Sequence, residues 1–158
     1  MVILGISIGT RSSGIAILEG NQLKVWNTIS FKASWSEEKG DAIIAQYEQY
    51  LKKYNIKIVI VKIPRISHHT DGIVNLLQKV QKMITYHGCM VDYRSQAEIK
   101  EALPKIRNKR DVINYTATLY PVLANHQQRE LTNRNKYHLR MFEAVLVAHL
   151  ALQEKFPD

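Results

Sequence analysis

The chain has 158 residues, of which 22 are Lys or Arg and 14 are Asp or Glu, so its formal net charge is +8 at pH 7. Hydrophobic residues make up 46% and charged residues 23%, which excludes a mainly disordered chain and is typical of a globular one. No apolar run approaches the roughly 20 residues of a membrane-spanning helix. We therefore expect one domain over residues 1–158.

The net charge and the single cysteine indicate the class of partner and the cellular compartment that we expect. Cys89 has no second cysteine to pair with, and the N-terminal residues lack the basic segment of a signal peptide, so we expect a cytoplasmic protein. The net charge favours polyanionic partners, with nucleic acid first and an anionic membrane surface second. The stretch Arg94–Arg140 holds ten basic residues against four acidic ones. It contains no basic amphipathic helix with bulky aromatics, which favours nucleic acid over a membrane. No small-molecule substrate is predicted.

The first 30 residues predict three strands. Apolar runs occupy Val2–Ile8 and Ile15–Glu19, and Gln22–Ser30 predicts a third strand. The turn-forming clusters Gly9–Gly14 and Gly20–Asn21 separate them. Three strands joined by short turns predict an antiparallel meander.

The middle of the chain alternates helix and strand. Apolar residues at helical spacing follow Ser36, which can cap the first helix, and again follow Thr70 or Asp71, which can cap the second. The run Ile56–Ile63 predicts a strand buried on both faces, and Cys89–Tyr93 predicts a fifth strand. This alternation is typical of strands added in parallel to a sheet.

The last third predicts helices. Ser95 with Glu98 forms a capping-box pattern at the start of a short helix. We predict helices over residues 96–103, 111–123 and 137–156, with a polar loop over Asn125–Asn135. The last helix is apolar enough to be largely buried. The whole order is β-β-β-α-β-α-β-α-α-α, a mixed α/β arrangement.

This order resembles the ribonuclease H-like fold, and local segments narrow the resemblance. Leu4–Ile17 is similar to the opening of RuvC-type Holliday junction resolvases, whose pattern is Gly-Ile-Asp-x-Gly-Thr-x-x-x-Gly. Val59–Pro64 resembles the family's apolar strand ending in Glu-x-Pro. Weaker likenesses are found at Val91–Tyr93, Glu98–Ala102 and Phe142–His149. The resemblance spans nearly the whole chain. It implies a mixed five-stranded sheet, three antiparallel strands followed by parallel ones, with helices on both faces.

The resemblance also implies where an active site would lie. Nucleases of this type use two divalent metals held by carboxylates from the first strand, the fourth strand and the last helix. The matching positions here are Ser7, Lys62, Arg140 and Glu143. Three of the four carboxylates are replaced, two of them by cations that would repel a metal ion. We therefore expect no metal or other cofactor, with Mg²⁺ or Mn²⁺ required only if the chain is a nuclease.

Two interpretations of the substituted site stay open. Lys62 and Arg140 could clamp a phosphate in place of the metals. Alternatively, one of them could form a salt bridge with Glu143 and fill a former cavity. Asp92, on the neighbouring strand, is the other acid that could build an altered catalytic site with Glu143.

The loop Lys105–Arg110 carries four cations and no acid. It corresponds to the basic segment with which the family contacts the nucleic-acid backbone. Contacts to phosphates carry no sequence preference by themselves. We predict such contacts from Arg11, Arg65, Lys105, Arg107, Lys109 and Arg110.

Three functions follow from these observations. The first is a pseudoenzyme, a RuvC-like protein without catalysis that binds duplex or branched nucleic acid, with DNA the expected partner. The second is a metal-dependent endonuclease or resolvase with an altered acidic site. The third is a protein-interaction module without a nucleic-acid role. Relatives dimerise through a helix face, so a homodimer is predicted. Core packing is the competing explanation for the candidate face, which comprises Leu76, Leu77, Val80, Met83 and Ile84.

Overall fold

A computed structural model of the chain describes residues 1–65, 68–133 and 137–155. In this part of the chain, five strands form one sheet in the order β3-β2-β1-β4-β5. The first three strands are antiparallel, and β4 and β5 run parallel to β1. The predicted mixed sheet is therefore confirmed. The strands are β1 (Val2–Ser7), β2 (Ser12–Glu19), β3 (Gln22–Ser30), β4 (Ile58–Lys62) and β5 (Met90–Arg94).

Side-chain caps start the first three helices as the sequence predicts. Ser36, Thr70 and Ser95 each accept a hydrogen bond from a backbone N–H in the first helical turn. The helices are α1 (Glu37–Lys53), α2 (Asp71–Tyr86), α3 (Gln96–Ala102), α4 (Lys109–Leu119), α5 (Ala124–Thr132) and α6 (Leu139–Lys155), with a short 3₁₀ helix (Pro121–Leu123) between α4 and α5. The predicted end of the last helix, Phe156, lies outside the described residues.

The prediction of a loop over Asn125–Asn135 is wrong, because most of this segment forms α5. Its composition misled the prediction. Gln, Arg, Glu and Leu are good helix formers, but the segment offers little apolar periodicity. Glu130 is its fully buried residue. The predicted helix over residues 111–123 also divides, since Pro121 lacks the N–H that would continue α4.

Two hydrophobic cores lie on opposite faces of the sheet. Leu4 and Val59 face the core that contains α1 and α2. Ile3 and Ile60 face the core built around α6 and supported by α3 and α4. The central strands β1 and β4 are consequently buried on both faces, as the continuous apolar run of β4 predicts.

Helix α6 lies directly on the central strands because two glycines leave room for its backbone. A Cβ atom added at Gly5 would lie 2.2 Å from the carbonyl oxygen of Ala144. One added at Gly14 would lie 1.9 Å from the carbonyl oxygen of Arg140. This close approach fixes the first turns of α6 beside the carboxyl-terminal ends of β1 and β4.

The α2 face that the sequence offered for a homodimer packs inside the chain. Leu76, Val80, Met83 and Ile84 are buried in the core on that side of the sheet, and Leu77 is half-buried against it. Core packing therefore accounts for this face, and the homodimer stays a prediction. Within the described ranges, no helix combines the length and the apolar character needed to cross a membrane.

Candidate functional site

The candidate site lies where the parallel strands end. Ser7 and Lys62 are the last residues of β1 and β4 and are register partners. Both are buried. Glu143 projects toward them from the second turn of α6. Sheet pairing and the close approach of α6 thus bring together three of the four positions that the sequence selected.

Both carboxylate oxygens of Glu143 are engaged. The Ser7 hydroxyl donates to Oε1 at 3.0 Å, and the Lys62 Nζ lies 2.7 Å from Oε2. The side chains of Lys62 and Glu143 are only 8% and 12% exposed. A buried ion pair is tolerated when hydrogen bonds satisfy its remaining polar atoms, as the Ser7 hydroxyl does here. The three side chains form a unit without net charge, the Ser7–Lys62–Glu143 cluster.

Arg140 lies one turn before Glu143 on α6 but makes a different contact. Its Nη1 donates to the backbone carbonyl of Ile8 at 2.8 Å. Its guanidinium lies against Gly9, where an added Cβ would come within 2.8 Å of Cζ. Among the described residues, no carboxylate lies within ion-pairing distance of Arg140. Lys62 therefore follows the salt-bridge interpretation, whereas Arg140 keeps an uncompensated charge.

The turn from β1 to β2 is held tightly beside this arginine. The Gly9 N–H donates to Ser13 Oγ at 3.3 Å, and the Ser13 hydroxyl in turn hydrogen-bonds the Tyr47 hydroxyl. Burial raises the pKa of Tyr47 well above its usual value, so this phenol stays neutral. The neutral network fixes the turn that accepts the Arg140 hydrogen bond.

A cleft of about 800 Å³ opens above the Ser7–Lys62–Glu143 cluster. Among the described residues that line it are six Lys or Arg side chains and a single acid, Glu143, which is already paired with Lys62. The cleft is consequently strongly positive. The six cations are Lys62, Arg65, Arg107, Lys109, Arg110 and Arg140.

The predicted basic loop forms one wall of this cleft. Ile106 anchors the loop in the core, while the charged residues around it are exposed. Asn108 caps α4 by accepting from the Asp111 N–H at 2.9 Å, and the Asp111 carboxylate accepts from the Arg107 N–H at 2.9 Å. The sequence analysis missed this pair. Its signal is an Asn followed three residues later by an Asp, similar to a capping box.

Two predicted phosphate contacts lie elsewhere. Arg11 and Lys105 are exposed, but neither lines the cleft. Conversely, Ser12, His68 and Gln96 line it and were not among the predicted contacts. Position in the sequence does not show which side chains line the cleft, because neighbouring residues of a loop point in different directions.

Asp92 is not brought together with Glu143. Its carboxylate lies 2.8 Å from Nη1 of Arg94, and Arg94 also pairs with Glu154. Glu154 lies three turns beyond Glu143, about 16 Å along α6 at 1.5 Å per residue. The two acids suggested for an altered catalytic site therefore belong to separate ion pairs.

Comparison with known proteins extends these observations. The sequence matches no protein-family model and no curated protein. Among solved structures, it is similar to Thermus thermophilus RuvC in complex with a Holliday junction substrate, with a TM-score of 0.74 and 16% identity over 99% of this chain and 96% of that one. The chain has a RuvC-like fold. A second T. thermophilus RuvC structure gives a TM-score of 0.71 at 16% identity, covering 98% of this chain and 96% of that one. The yeast mitochondrial Holliday junction resolvase Ydc2 gives 0.62 at 12% identity, covering 98% and 80%.

The residues present do not fit the divalent metals that the resemblance implies for an active RuvC-type nuclease. Within the described part of the chain, no three His, Cys, Asp or Glu residues are grouped so that they could hold a metal ion. The one carboxylate among the described lining residues has an ammonium group 2.7 Å away. A divalent cation there would displace or face that ammonium, and hard cations need several oxygen ligands.

Proposed function

We propose that this chain is a RuvC-like protein that binds duplex or branched DNA through its phosphates and does not cleave it. The observation that carries the proposal is the cleft, in which six cations surround one acid that is already paired. When the cations of such a surface neutralise phosphates, the counterions condensed on the nucleic acid are released, which drives binding.

The chemistry of the cleft favours recognition of the backbone over recognition of bases. Its cations include Arg107, Lys109 and Arg110, which are exposed at the start of α4 and free to reach phosphates. No Phe, Tyr or Trp ring is among the described lining residues, so the cleft lacks the large stacking platforms typical of single-strand binders. We therefore expect little sequence preference.

The absence of catalysis is the second half of the proposal. Two-metal cleavage of a phosphodiester needs carboxylates that hold both ions. The matching positions carry Ser7, Lys62 and Arg140, and Glu143 is neutralised by Lys62. The chain therefore offers a phosphate fixed cations but no site at which metals would activate water.

A gel-shift and cleavage assay tests both halves. Purified chain is mixed with a labelled four-way junction and a matched duplex, with EDTA or with Mn²⁺. We expect binding without cutting in both conditions, and an affinity that falls steeply as salt rises. Mn²⁺-dependent cutting that is lost in Glu143→Gln would instead support the nuclease alternative. Neither binding nor cutting would overturn the proposal and leave a protein-interaction module.

A pair of charge-matched variants locates the interface within the same assay. The cleft variant carries Gln at Arg107, Lys109 and Arg110. The control carries Gln at Lys24, Lys53 and Lys57, three exposed cations that do not line the cleft. We expect the cleft variant to lose more than about tenfold in affinity and about 2.7 units of salt slope, at about 0.9 per contact. Equal losses in the two variants would show that net charge alone drives binding.

A further inference from the structure

The floor of the cleft, which comprises Lys62, Arg140 and Glu143, contains a carboxylate that an incoming phosphate would have to approach. Glu143 lies there with 12% of its side chain exposed, and an uncompensated carboxylate would repel an approaching phosphodiester. The protein places the Lys62 ammonium 2.7 Å from one oxygen and the Ser7 hydroxyl 3.0 Å from the other. The carboxylate is thereby neutralised without a metal ion.

Lys62 is committed to this pairing. Its side chain is only 8% exposed and its Nζ lies against Glu143, so it has little surface to offer a ligand. Its position therefore allows it to influence a phosphate through Glu143 more readily than by direct contact.

Arg140 is placed differently. It lines the cleft, it is half-buried, and its recorded hydrogen bond goes to a neutral carbonyl, that of Ile8. That bond and the contact with Gly9 orient the guanidinium while leaving its charge uncompensated by any described carboxylate. A guanidinium oriented in this way offers further N–H donors in the fork geometry that suits phosphate oxygens.

We propose that Arg140 binds a backbone phosphate at the floor of the cleft, and that Lys62 acts on this subsite only as a positioning residue that neutralises Glu143. The inference rests on the proposed function. It names the residues that would hold a phosphate in place of metal ions. Binding at the floor is then independent of divalent cations, and the charge state of the Lys62–Glu143 pair sets its strength.

Four variants test the assignment by titration of a labelled duplex in EDTA over a range of KCl concentrations. One unit charge about 8 Å from a phosphate, at an effective dielectric of about 40, changes affinity about sixfold. Lys62→Met should weaken binding by that factor, and Glu143→Gln should strengthen it by a similar factor. Adding Glu143→Gln to Lys62→Met should recover most of the loss. Arg140→Gln should lose at least about sixfold and about 0.9 units of salt slope.

Each alternative has its own outcome. If the double variant binds as weakly as Lys62→Met, then Lys62 contacts the phosphate directly. If Glu143→Gln leaves affinity and salt slope unchanged, or Arg140→Gln does so, the floor subsite does not exist. Thermal unfolding of each variant checks the fold, and Glu143→Gln and the double variant remain informative if Lys62→Met, with its bare carboxylate, fails to fold. A parent chain that binds no duplex overturns the proposed function itself, whereas a binding parent with unresponsive variants overturns only this inference.

Discussion

Ser7 shows how one small hydroxyl supports a buried charge. It is fully buried, and its Oγ donates to Glu143 on the side opposite Lys62. A hydrogen bond to a charged group contributes more than one between neutral groups, and a buried carboxylate without such partners is strongly unfavourable. Ser7 is therefore suited to this site, because it gives the Glu143 carboxylate a hydrogen bond without adding a second negative charge.

A second carboxylate at this position should destabilise the fold. We expect Ser7→Asp to lower the free energy of unfolding by about 2 kcal/mol relative to the neutral isostere Ser7→Asn at pH 8, because two buried carboxylates would then share Lys62. The difference should shrink toward pH 5, where one of them can hold a proton. Urea denaturation at the two pH values measures it. Equal stability of the two variants at pH 8 would show that Lys62 balances both charges.

Sequence reasoning selected positions that lie together in the fold, but it did not assign the contacts between them. The resemblance placed Ser7, Lys62 and Glu143, and these three are in contact. Whether Lys62 or Arg140 would pair with Glu143 stayed open, because the resemblance placed both cations near this carboxylate, Lys62 at the end of β4 and Arg140 one turn away on the same helix. Only the Ile8 carbonyl, which the folded β1–β2 turn presents to Arg140, separates the two cations.

At the scale of elements, α6 joins the site to the core. Its first turns carry Arg140 and Glu143, and from Ala144 to Leu152 it is buried nearly throughout. Gly5 and Gly14 let its backbone approach the sheet more closely than any side chain would allow. The position of the cleft floor therefore depends on two residues that have no side chain.

Filling one of these positions should be costly. We expect Gly5→Ala to lower the free energy of unfolding by about 2–3 kcal/mol, since its Cβ would overlap the Ala144 carbonyl oxygen, and backbone cannot shift cheaply. The control is Gly20→Ala. That glycine has open space around it but a φ of +59°, so the expected loss is about 1 kcal/mol. Chemical denaturation of both variants makes the comparison, and a smaller loss for Gly5→Ala would contradict the packing described for α6.

The elements most accessible to sequence reasoning were those with strong periodicity or clear caps. The five strands and the capped helices α1, α2 and α3 lie where the patterns predict. Helix α5 was missed because its stability comes from tertiary contacts of a polar segment, which local patterns do not encode. The prediction of a single domain stays a prediction, although the described strands all belong to one sheet.

At the scale of the whole molecule, two half-buried histidines couple stability to pH. Burial lowers the pKa of His149, whose Nδ1 lies 2.9 Å from the Tyr120 hydroxyl. Burial also lowers the pKa of His126, assisted by the nearby charges of His138 and Arg129 and opposed by that of Glu130. At these two histidines, the folded chain thus binds protons less readily than the unfolded chain.

The lowered histidine pKa values determine the direction in which stability changes with pH. With histidine pKa values lowered on folding, their contribution to stability is present above the ordinary value of about 6.5 and is lost as pH falls through the folded pKa. We expect the free energy of unfolding to decrease from pH 7.5 to pH 5, and His149→Gln to make that decrease shallower. Urea denaturation across this range measures both curves. A parent curve that rises on acidification would contradict the assignment.

The close packing of α6 against Gly5 and Gly14 has a consequence for ligand binding. Because the same helix closes one hydrophobic core and bears the cleft floor, the floor cannot loosen unless the core opens with it. Under the proposed function, Arg140 and Glu143 would form a preorganised surface for a phosphate, with little ordering entropy left to lose. Adaptation to the shape of a ligand falls instead to the exposed side chains of the loop before α4.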